Sequence, residues 1–543
     1  MIKSAKILKK GDSMTTQPLV TTEQSNQATE NLDLMTAREI VSAINNEDHK
    51  VADAVELCLP AIAEGADVLA QKLAKGGRLF IFGAGTSGRL GVMNAVGITE
   101  KYGLKKGQIS GIIAGGDRAL RFSVENSEDN REQAVKDLMA FKPTENDVVF
   151  GISAGGGAPY ILQVLEEAQK LGMHTIGYSS NTNAKLKPFS DTFINPVVGP
   201  EVLTGSSRMK SGSAQEMTLI ALLESAIIKT KNKSQKTKDI LAKIIKDFKS
   251  AAPAVKKQIT NITKAVNLIA DALNDGGRVF YFGTGTAGRL GVLDASECWP
   301  TFGVEHGTVN GRIEGGDKSL RQLPKHSQKE SEQAARHDFE RTESVKNAQG
   351  KEEISIPPIG KNPRDIAIIL GDDPYSVMAL KEAKKRGLKT IVFSVKKNPL
   401  LGVLANASIN PVATDIAAPL MTKFVLNILT TASMVRIGKV LGNKMVDVAV
   451  MNEKLVDRAI RIISDFTGKE YQEAQALLLA SQKIAKDPKR HVVPVAIVMG
   501  KTGLSAKEAK TLLDQSRGLV RDALKKHSAA KVKKNVLISP QRG

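Results

Sequence analysis

The stretch GRLFIFGAGTSGRLG, residues 77–91, decides the fold of this chain. Its apolar run, Leu79–Phe82, predicts a fully buried strand of a parallel sheet, and the residues from Leu90 onward predict a helix. Three glycines between them let the backbone turn sharply. A strand, a glycine loop and a helix N-terminus in this order point backbone N–H groups at an anion. The stretch therefore predicts a phosphate site.

The same pattern returns as GRVFYFGTGTAGRLG at residues 277–291, 200 positions later. A repeat of that length is a whole domain rather than a solenoid unit. Strands alternate with helices in both copies, which predicts a parallel, doubly wound sheet in each. The predicted fold class is α/β, with two tandem domains paired as a pseudo-dimer and a helical cap at the C-terminus.

Four parts are expected along the chain. They are a polar segment and helix (residues 1–50), a phosphate-binding first copy (51–235), a second copy with degenerate loops (236–460), and a helical cap with a basic tail (461–543). Residues 1–34 are polar and are expected to be irregular and mobile, with Met14 as an alternative start. Strands are predicted at Leu79–Phe82, Ile109–Ile113, Asp147–Ile152, His174–Tyr178, Thr192–Asn195, Val279–Phe282, Ile366–Leu370 and Thr390–Phe393.

Composition narrows the class of protein. The 543 residues include only two cysteines and no apolar run of about 18 residues. We therefore expect a cytoplasmic protein without a membrane partner. The formal charge of +20 raises nucleic acid as a partner, but aromatic residues make up only 4% and the lysines concentrate in the tail. We expect a solvated tail, no nucleic acid, and no cofactor or metal.

Two loops of the first copy suit a phosphate group. Ligands of open α/β sheets bind at the carboxyl ends of the strands, where residues 83–88 and 153–157 are rich in glycine and hydroxyls. The candidate phosphate ligands are Gly85, Thr86, Ser87, Ser153, Gly155 and Gly157. A third stretch, residues 199–212, adds Ser207, Arg208 and Lys210 at a helix start. Composition leaves open whether those cations face an anion or are solvated.

The second copy has lost these features. Ala287 stands in place of Ser87, and the loop at 153–157 is replaced by Gly371-Asp372-Asp373-Pro374. Its two acids would repel a phosphate. The first copy is therefore the one predicted to hold an anion.

Each copy keeps one carboxylate that the other copy has lost. Glu297 of the second copy aligns with Gly97 of the first, whereas Glu128 of the first aligns with Gln328 of the second. If the copies pair about a pseudo-two-fold axis, one composite site holds the intact loops, Glu128 and Glu297. The twin site then has neither acid and is inactive.

These motifs resemble the sugar isomerase (SIS) domain, and within it the family that unites N-acetylmuramic acid 6-phosphate etherases with glucokinase regulatory proteins. The resembling stretches are GAGTSGRLG (83–91), AGGDRAL (114–120), GPEVLTGSSRMKSG (199–212), GTGTAGRLGVLDASECWPTFG (283–303) and MVDVAVMNEKLVDRA (445–459). The etherases are single-copy homodimers with shared sites. The regulatory proteins carry both copies and a cap in one chain, as here.

The resemblance implies roles for individual residues. Glu297 matches the general acid of the etherases and Glu128 matches their base, which implies a carbon–oxygen lyase that removes the lactyl ether of a phosphorylated amino sugar. Lys489 matches a cap lysine that contacts the sugar phosphate in the regulators. Gly155 and Gly157 depart from the pattern, because etherases usually carry Ser and Arg there, and Pro494 replaces a lysine common in their C-terminal segment.

Three other functions fit some features of the sequence. The tandem architecture with a cap favours a non-catalytic sensor that binds a sugar phosphate and controls a sugar kinase. The Gly83-x-Gly85-x-x-Gly88 spacing fits a dinucleotide fingerprint, but Asp117 comes too late for its acid. A DNA-binding regulator is rejected, because only a polar segment and two helices precede the first sheet.

Overall fold

A computed structural model describes residues 20–346, 352–396, 399–450 and 453–538. The expectations for residues 1–19, including the alternative start at Met14, lie outside the described residues. So do Met451 and Asn452 of the fifth resembling motif, and the side chains of Lys533 and Lys534 in the tail.

The first copy is a five-stranded sheet with helices on both faces. Its strands are β1 (Leu79–Gly83), β2 (Ile109–Ile113), β3 (Val148–Ile152), β4 (His174–Tyr178) and β5 (Thr192–Ile194). Its helices are α1 (Ala37–Glu56), α2 (Leu59–Ala74), α3 (Gly85–Tyr102), α4 (Arg131–Met139), α5 (Pro159–Lys170) and α6 (Lys210–Lys231). All five predicted strands are present, in the parallel order β2-β1-β3-β4-β5.

The second copy repeats this plan. Its helices are α7 (Thr237–Lys256), α8 (Ile259–Asn274), α9 (Gly285–Phe302), α10 (Gln328–Glu340), α11 (Pro374–Lys385), α12 (Pro399–Leu404) and α13 (Ala418–Arg436). The parallel sheet has the order β12-β11-β10-β6-β7, with β6 (Val279–Gly283), β7 (Val309–Ile313), β10 (Ile366–Leu370), β11 (Lys389–Phe393) and β12 (Ala407–Ile409). An antiparallel hairpin, β8 (Glu343–Lys346) with β9 (Glu352–Ile356), is an addition of this copy that was not predicted.

The two copies meet about a pseudo-two-fold axis. Arg121 of the first copy pairs with Asp317 and donates to the carbonyl of Gly311 at 2.8 Å. Arg321, 200 positions later, pairs with Asp117 at 2.6 Å and donates to the carbonyl of Gly111. Equivalent side chains therefore make equivalent contacts in both directions, which is the signature of an internal pseudo-dimer.

Helix α13 forms part of the core between the copies. Among the described residues it is the one helix long and apolar enough to cross a membrane, but 89% of its apolar window is buried inside the protein. Its Lys423 donates to the carbonyl of Arg208 at 2.7 Å and to Ser213 at 3.1 Å, both in the first copy. These contacts identify α13 as an internal packing helix.

A hairpin, β13 (Val440–Leu441) with β14 (Lys444–Met445), leads from the second sheet to the C-terminal helices. These are α14 (Glu453–Thr467), α15 (Tyr471–Ile484), α16 (Val492–Thr502), α17 (Ala506–Asp514) and α18 (Val520–Ile538). The structure confirms the predicted helical C-terminal region. Buried apolar residues of α16, from Val492 to Val498, pack it into the main core.

The N-terminal segment differs from its prediction where the structure describes it. Residues 20–34 form three short 3-10 turns rather than an irregular stretch. Asn26 donates to Glu47 at 3.0 Å, and the buried Thr29 hydroxyl donates to the carbonyl of Val202 at 2.8 Å. Buried polar side chains that find partners hold this segment in place, despite its polar composition.

Candidate functional site

The first glycine loop joins β1 to α3 at the carboxyl edge of the first sheet. A Cβ on Gly88 would lie 2.6 Å from the carbonyl oxygen of Gly83, so only glycine permits this close approach. Gly85 is exposed, Thr86 is half-buried and Ser87 is buried at the first turn of α3. Because the first N–H groups of a helix have no intrahelical partners, this turn offers donors to an anion.

An acid of the second copy reaches this loop. Oε1 of Glu297, on α9, accepts a hydrogen bond from Thr86 Oγ1 at 2.7 Å and another from Arg89 Nη1 at 2.5 Å. Burial lowers the pKa of the Arg89 guanidinium, against the opposing effect of the Glu297 charge. The loop of one copy and the acid of the other therefore form one composite site.

Glu128 lines a cavity beside the first glycine loop. This cavity, of about 80 Å³, is lined by Gly85, Arg89 and the segment 123–128. Glu128 is half-buried, and its backbone carbonyl accepts from the N–H of Tyr160 at 3.0 Å. Arg89 thus contacts Glu297 and shares a cavity with Glu128. Arg89 is therefore the residue that links the two predicted acids, and Glu297 does not itself line this cavity.

The cap closes the rim of this cavity. Lys489 Nζ forms an ion pair with Glu125, one of the lining residues. The backbone carbonyl of Lys489 accepts from the N–H of Val450 at 3.0 Å, which fixes the segment. The predicted cap lysine therefore lies at the mouth of the site.

The second loop follows β3 and is folded on itself. Ser153 Oγ accepts from the N–H of Gly156 at 3.2 Å, and Asn181 donates to the carbonyl of Gly155 at 3.3 Å. Gly156 has a φ of +71°, and a Cβ there would lie 2.4 Å from that of Ala184. The neighbours differ: a Cβ on Gly155 meets nothing within 4 Å, and one on Gly157 meets only Lys185, at 4.0 Å. A Cβ is therefore accommodated at both positions.

The third stretch is placed differently from its prediction. Arg208 is 3% exposed; its guanidinium donates to Asp294 at 3.2 Å and to Thr431 at 2.6 Å, in the second copy. Lys210 is 2% exposed and donates to Glu47 at 2.6 Å. Neither cation is solvated and neither lines the cavity of Glu128, because buried carboxylates already engage both. Ser207, the residue before Arg208, is half-buried.

The twin site contains the equivalent residues of the other copy, but Gly97 stands at the position equivalent to Glu297. A Cβ on Gly97 would lie 3.7 Å from Thr286 Oγ1, the counterpart of the contact between Glu297 and Thr86. Arg289, the counterpart of Arg89, instead donates to both oxygens of Glu100 at 3.2 Å. A cavity of about 190 Å³ lies beside Gly97 and Thr286. Gln328, which aligns with Glu128 of the first copy, is the first residue of α10.

Sequence reasoning missed Arg89 and Glu125 as site residues. Arg89 belongs to a Gly-Arg-Leu-Gly motif present in both copies, which was a usable signal. Glu125 had none, because its importance comes from a contact with Lys489, 364 positions away.

Three regions of the chain match known families. Residues 61–169 match the glucokinase regulatory protein N-terminal SIS domain, and residues 256–343 match the second SIS domain of that protein. Residues 442–486 match the C-terminal lid domain of glucokinase regulatory protein.

Curated relatives point to the other branch of the same family. The N-acetylmuramic acid 6-phosphate etherase of Actinobacillus pleuropneumoniae serotype 5b is 46% identical over 207 residues, 38% of this chain and 68% of the relative. The etherase of Aliivibrio fischeri strain MJ11 is 46% identical over 209 residues, 38% of this chain and 70% of the relative. Etherase 1 of Enterococcus faecalis is 42% identical over 213 residues, 39% of this chain and 71% of the relative.

Among solved structures, the C-terminal domain of glucosamine-fructose-6-phosphate aminotransferase from Francisella tularensis aligns with a TM-score of 0.47 at 18% identity, over 72% of this chain and 94% of that one. With SIS-type sheets in both copies, three matched regions and etherases above 40% identity, the chain belongs to the family that unites N-acetylmuramic acid 6-phosphate etherases with glucokinase regulatory proteins.

Proposed function

We propose that this chain is a lyase that cleaves the D-lactyl ether of N-acetylmuramic acid 6-phosphate, as part of cell-wall sugar recycling in the cytoplasm. The observation that carries the proposal is the contact of Glu297 with Arg89 and Thr86 of the first glycine loop. It supports a site assembled from both copies. The names of the etherase relatives supply the substrate class.

The glycine loop and its neighbours would bind the phosphate. Backbone N–H groups at Gly85 and the hydroxyl of Ser87 lie at the N-terminus of α3, whereas the Thr86 hydroxyl donates to Glu297 and would have to turn away from it to bind a phosphate. A helix N-terminus and hydroxyl donors together favour a compact anion. Ser153 and the loop at 155–157 would complete the cradle, with Lys489 at its mouth.

The two carboxyl groups divide the proton transfers. Glu128 takes the proton at C2 of the open-chain sugar, which the neighbouring aldehyde makes acidic. The C3–O bond breaks, and Glu297 gives a proton to the departing lactate oxygen; water then adds across the resulting double bond. Both hydrogen bonds to Glu297 end on Oε1, which leaves Oε2 to face the departing lactate oxygen.

The cavity must open to admit this substrate. Its volume of about 80 Å³ is below the range of about 300–1,000 Å³ usual for ligand pockets. The ion pair between Lys489 and Glu125 closes its rim, and both side chains are more than two-fifths exposed. An exposed pair of this kind contributes at most about 1 kcal/mol, so a phosphate can displace Glu125 from Lys489.

Lactate release tests the proposal. Purified protein is incubated with N-acetylmuramic acid 6-phosphate, and D-lactate is followed with a coupled dehydrogenase. Glu297→Gln is compared with Glu100→Gln, which removes the equivalent acid partner of Arg289 in the twin site. We expect lactate from the wild type and from Glu100→Gln, and a rate about 10²–10⁴-fold lower from Glu297→Gln. Absence of lactate from the wild type would overturn the proposal.

A second candidate function is a sugar-phosphate sensor that controls a sugar kinase. The three matches to regions of glucokinase regulatory protein, one of them its lid, favour it. Binding of N-acetylmuramic acid 6-phosphate without lactate release, together with inhibition of a sugar kinase, would replace the first proposal by this one.

A further inference from the structure

A second cavity, of about 550 Å³, lies between the C-terminal helices and the second copy. It shares no lining residue with the cavity that holds Glu128 and Arg89. Its volume falls within the range of about 300–1,000 Å³ that small-molecule sites occupy. We call it the cap cavity; its walls are the ends of α15, α16 and α17 and residues beside β13 and β14.

One wall of the cap cavity is apolar. Val446, Val495 and Leu513 line it and are at most 6% exposed, so they belong to the packed core. Ile484, at the end of α15, lines it as well and is 38% exposed. A large aliphatic side chain left open to solvent at a cavity mouth gains free energy when an apolar ligand covers it. The ligand therefore has an apolar body.

The carboxylates of the cap cavity are all engaged with the protein itself. Asp447, the most buried of them, accepts from Lys439 at 2.7 Å and contacts His491 at 2.8 Å. The other three pairs are Glu305 with Arg490, Asp514 with Lys510, and Asp487 with the backbone N–H of Lys489. Three of the four carboxylates are therefore neutralised by a cation, and Asp487 accepts the backbone N–H alone.

Two cations of the cap cavity have no such partner. Lys486 and Arg517 line it, and within the described ranges 20–346, 352–396, 399–450 and 453–538 neither side chain forms an ion pair. Both are exposed at the mouth. Five lysine and arginine side chains line the cavity against four carboxylates, so its charge is positive in excess and favours an anionic ligand.

The backbone around the cap cavity is strained. Among the described residues, four other than glycine have a positive φ: Asn126, Lys142, His491 and Arg517. His491 (+56°) and Arg517 (+54°) both line the cap cavity, and Asn126 lines the candidate active site. Such strain gathers at ligand sites, where the surrounding structure enforces it. Three of these four positions thus line one of the two cavities, whereas Lys142 lines neither.

We propose that the cap cavity binds a small amphipathic anion, an apolar body that carries one carboxylate or sulfonate group. Its apolar part covers Ile484 and its charge meets Lys486 and Arg517. Arg490 and His491 also line the cavity, and they directly follow Lys489, which contacts Glu125 at the rim of the candidate active site. Resting on the proposed function, we infer that the bound anion changes the rate of lactate release by moving Lys489.

Fluorescence of anilinonaphthalene sulfonate, an amphipathic anion, tests the binding. The probe is titrated into the full-length wild type, Lys486→Glu and Lys483→Glu. Lys483 is exposed near the same end of α15 but does not line the cavity, so its reversal changes the net charge equally. We expect saturable binding of one probe per chain, weakened about tenfold by Lys486→Glu and unchanged by Lys483→Glu. A second variant, Ile484→Glu, places a negative charge on the apolar wall and is expected to weaken binding likewise.

Each outcome bears on the inference. Equal affinity in all four proteins, or binding of many probes per chain, would overturn the cavity as the site. Probe binding that leaves the rate of lactate release unchanged would overturn the coupling to Lys489. If the wild type releases no lactate without the probe, the proposed function has failed, while the affinities of the variants still decide whether the cap cavity binds anions.

Discussion

Arg89 and Glu297 belong to different copies of the repeat, yet Nη1 of the arginine and Oε1 of the glutamate meet at 2.5 Å. The equivalent arginine of the second copy, Arg289, is instead held by Glu100, one helical turn beyond the glycine that replaces the acid. The pseudo-two-fold axis therefore relates two arginines with different partners. Only the first of them faces a cavity that also carries a second predicted acid.

The pair between Arg89 and Glu297 is expected to be structural as well as functional. The two side chains are 4% and 12% exposed, so Arg89→Ala leaves a buried carboxylate without its charge partner. We expect the free energy of unfolding to fall by about 3–5 kcal/mol. Urea denaturation of Arg89→Ala measures this loss. Lys170→Ala, which removes exposed pairs with Glu166 and Glu167, is the control and should cost much less. Equal losses in the two variants would contradict the assignment.

Lys489 is expected to act on substrate binding rather than on stability. Its pair with Glu125 is exposed, so Lys489→Ala should leave the free energy of unfolding within about 1 kcal/mol of the wild type. Loss of a cation at the mouth of the phosphate site should raise KM about tenfold, with kcat retained. Lys501→Ala, at an exposed position on α16, serves as the control. A fall in kcat at constant KM would show that Lys489 has a different role.

In the second loop, residues 153–157, a substitution is expected to strengthen binding of the sugar phosphate. Gly155 and Gly157 stand where the etherases usually carry Ser and Arg, and the structure accommodates a Cβ at both. We expect Gly157→Arg to lower KM for the sugar phosphate about tenfold through one added charged contact. Gly156→Ala is the steric control: its φ of +71° and the 2.4 Å approach to Ala184 should make it less stable. An unchanged KM in Gly157→Arg would mean that the loop does not face the phosphate.

Glu216 gives the protein a predicted pH dependence of stability. Burial raises the pKa of this carboxyl from 4.5 to about 7, and its Oε1 has no hydrogen-bond partner among the described residues. Between a pH of about 4.5 and about 7, the folded state keeps the proton on Glu216, whereas the unfolded state has lost it. The free energy of unfolding therefore falls as the pH rises through this range.

Glu216→Gln keeps the acceptor for Asn94, which donates to Glu216 at 2.7 Å, and removes the titration. We expect the variant to match the wild type at a pH of about 4 and to be more stable by a few kcal/mol, about 1.4 per unit of pKa shift, at a pH of about 8. Urea denaturation across this range measures the difference, with Glu166→Gln at a half-buried position on α5 as control. A difference that does not change with pH would contradict the buried titration.

Much of the fold follows from local sequence signals. The apolar runs and the glycine loops predicted all eight named strands, because a buried parallel strand needs a continuous apolar stretch. The hairpin β8–β9 was not predicted, since its short strands mix polar with apolar residues and have no counterpart in the first copy. The 3-10 turns at residues 20–34 were not predicted either, because buried contacts such as that of Asn26 with Glu47 leave no pattern in the local sequence.

The site was predictable only where the copies could be compared. Opposite losses at Gly97 and Gln328 predicted that Glu297 would approach the first glycine loop, and the structure places it there. The position of Arg208 could not be predicted in this way. An arginine beside glycines gives the same sequence pattern whether it binds a ligand or pairs with a buried carboxylate. Asp294, its partner, lies 86 positions away on α9, so sequence alone did not reveal the pair.

Exchange of the C2 hydrogen in heavy water tests the division of labour between the two acids most directly. N-acetylmuramic acid 6-phosphate is incubated with each variant in deuterium oxide, and deuterium at C2 and free lactate are both measured by NMR. We predict that Glu297→Gln exchanges the C2 hydrogen without releasing lactate, whereas Glu128→Gln does neither. Lactate release by Glu128→Gln at the wild-type rate, or exchange lost in Glu297→Gln but kept in Glu128→Gln, would contradict a base from the first copy and an acid from the second.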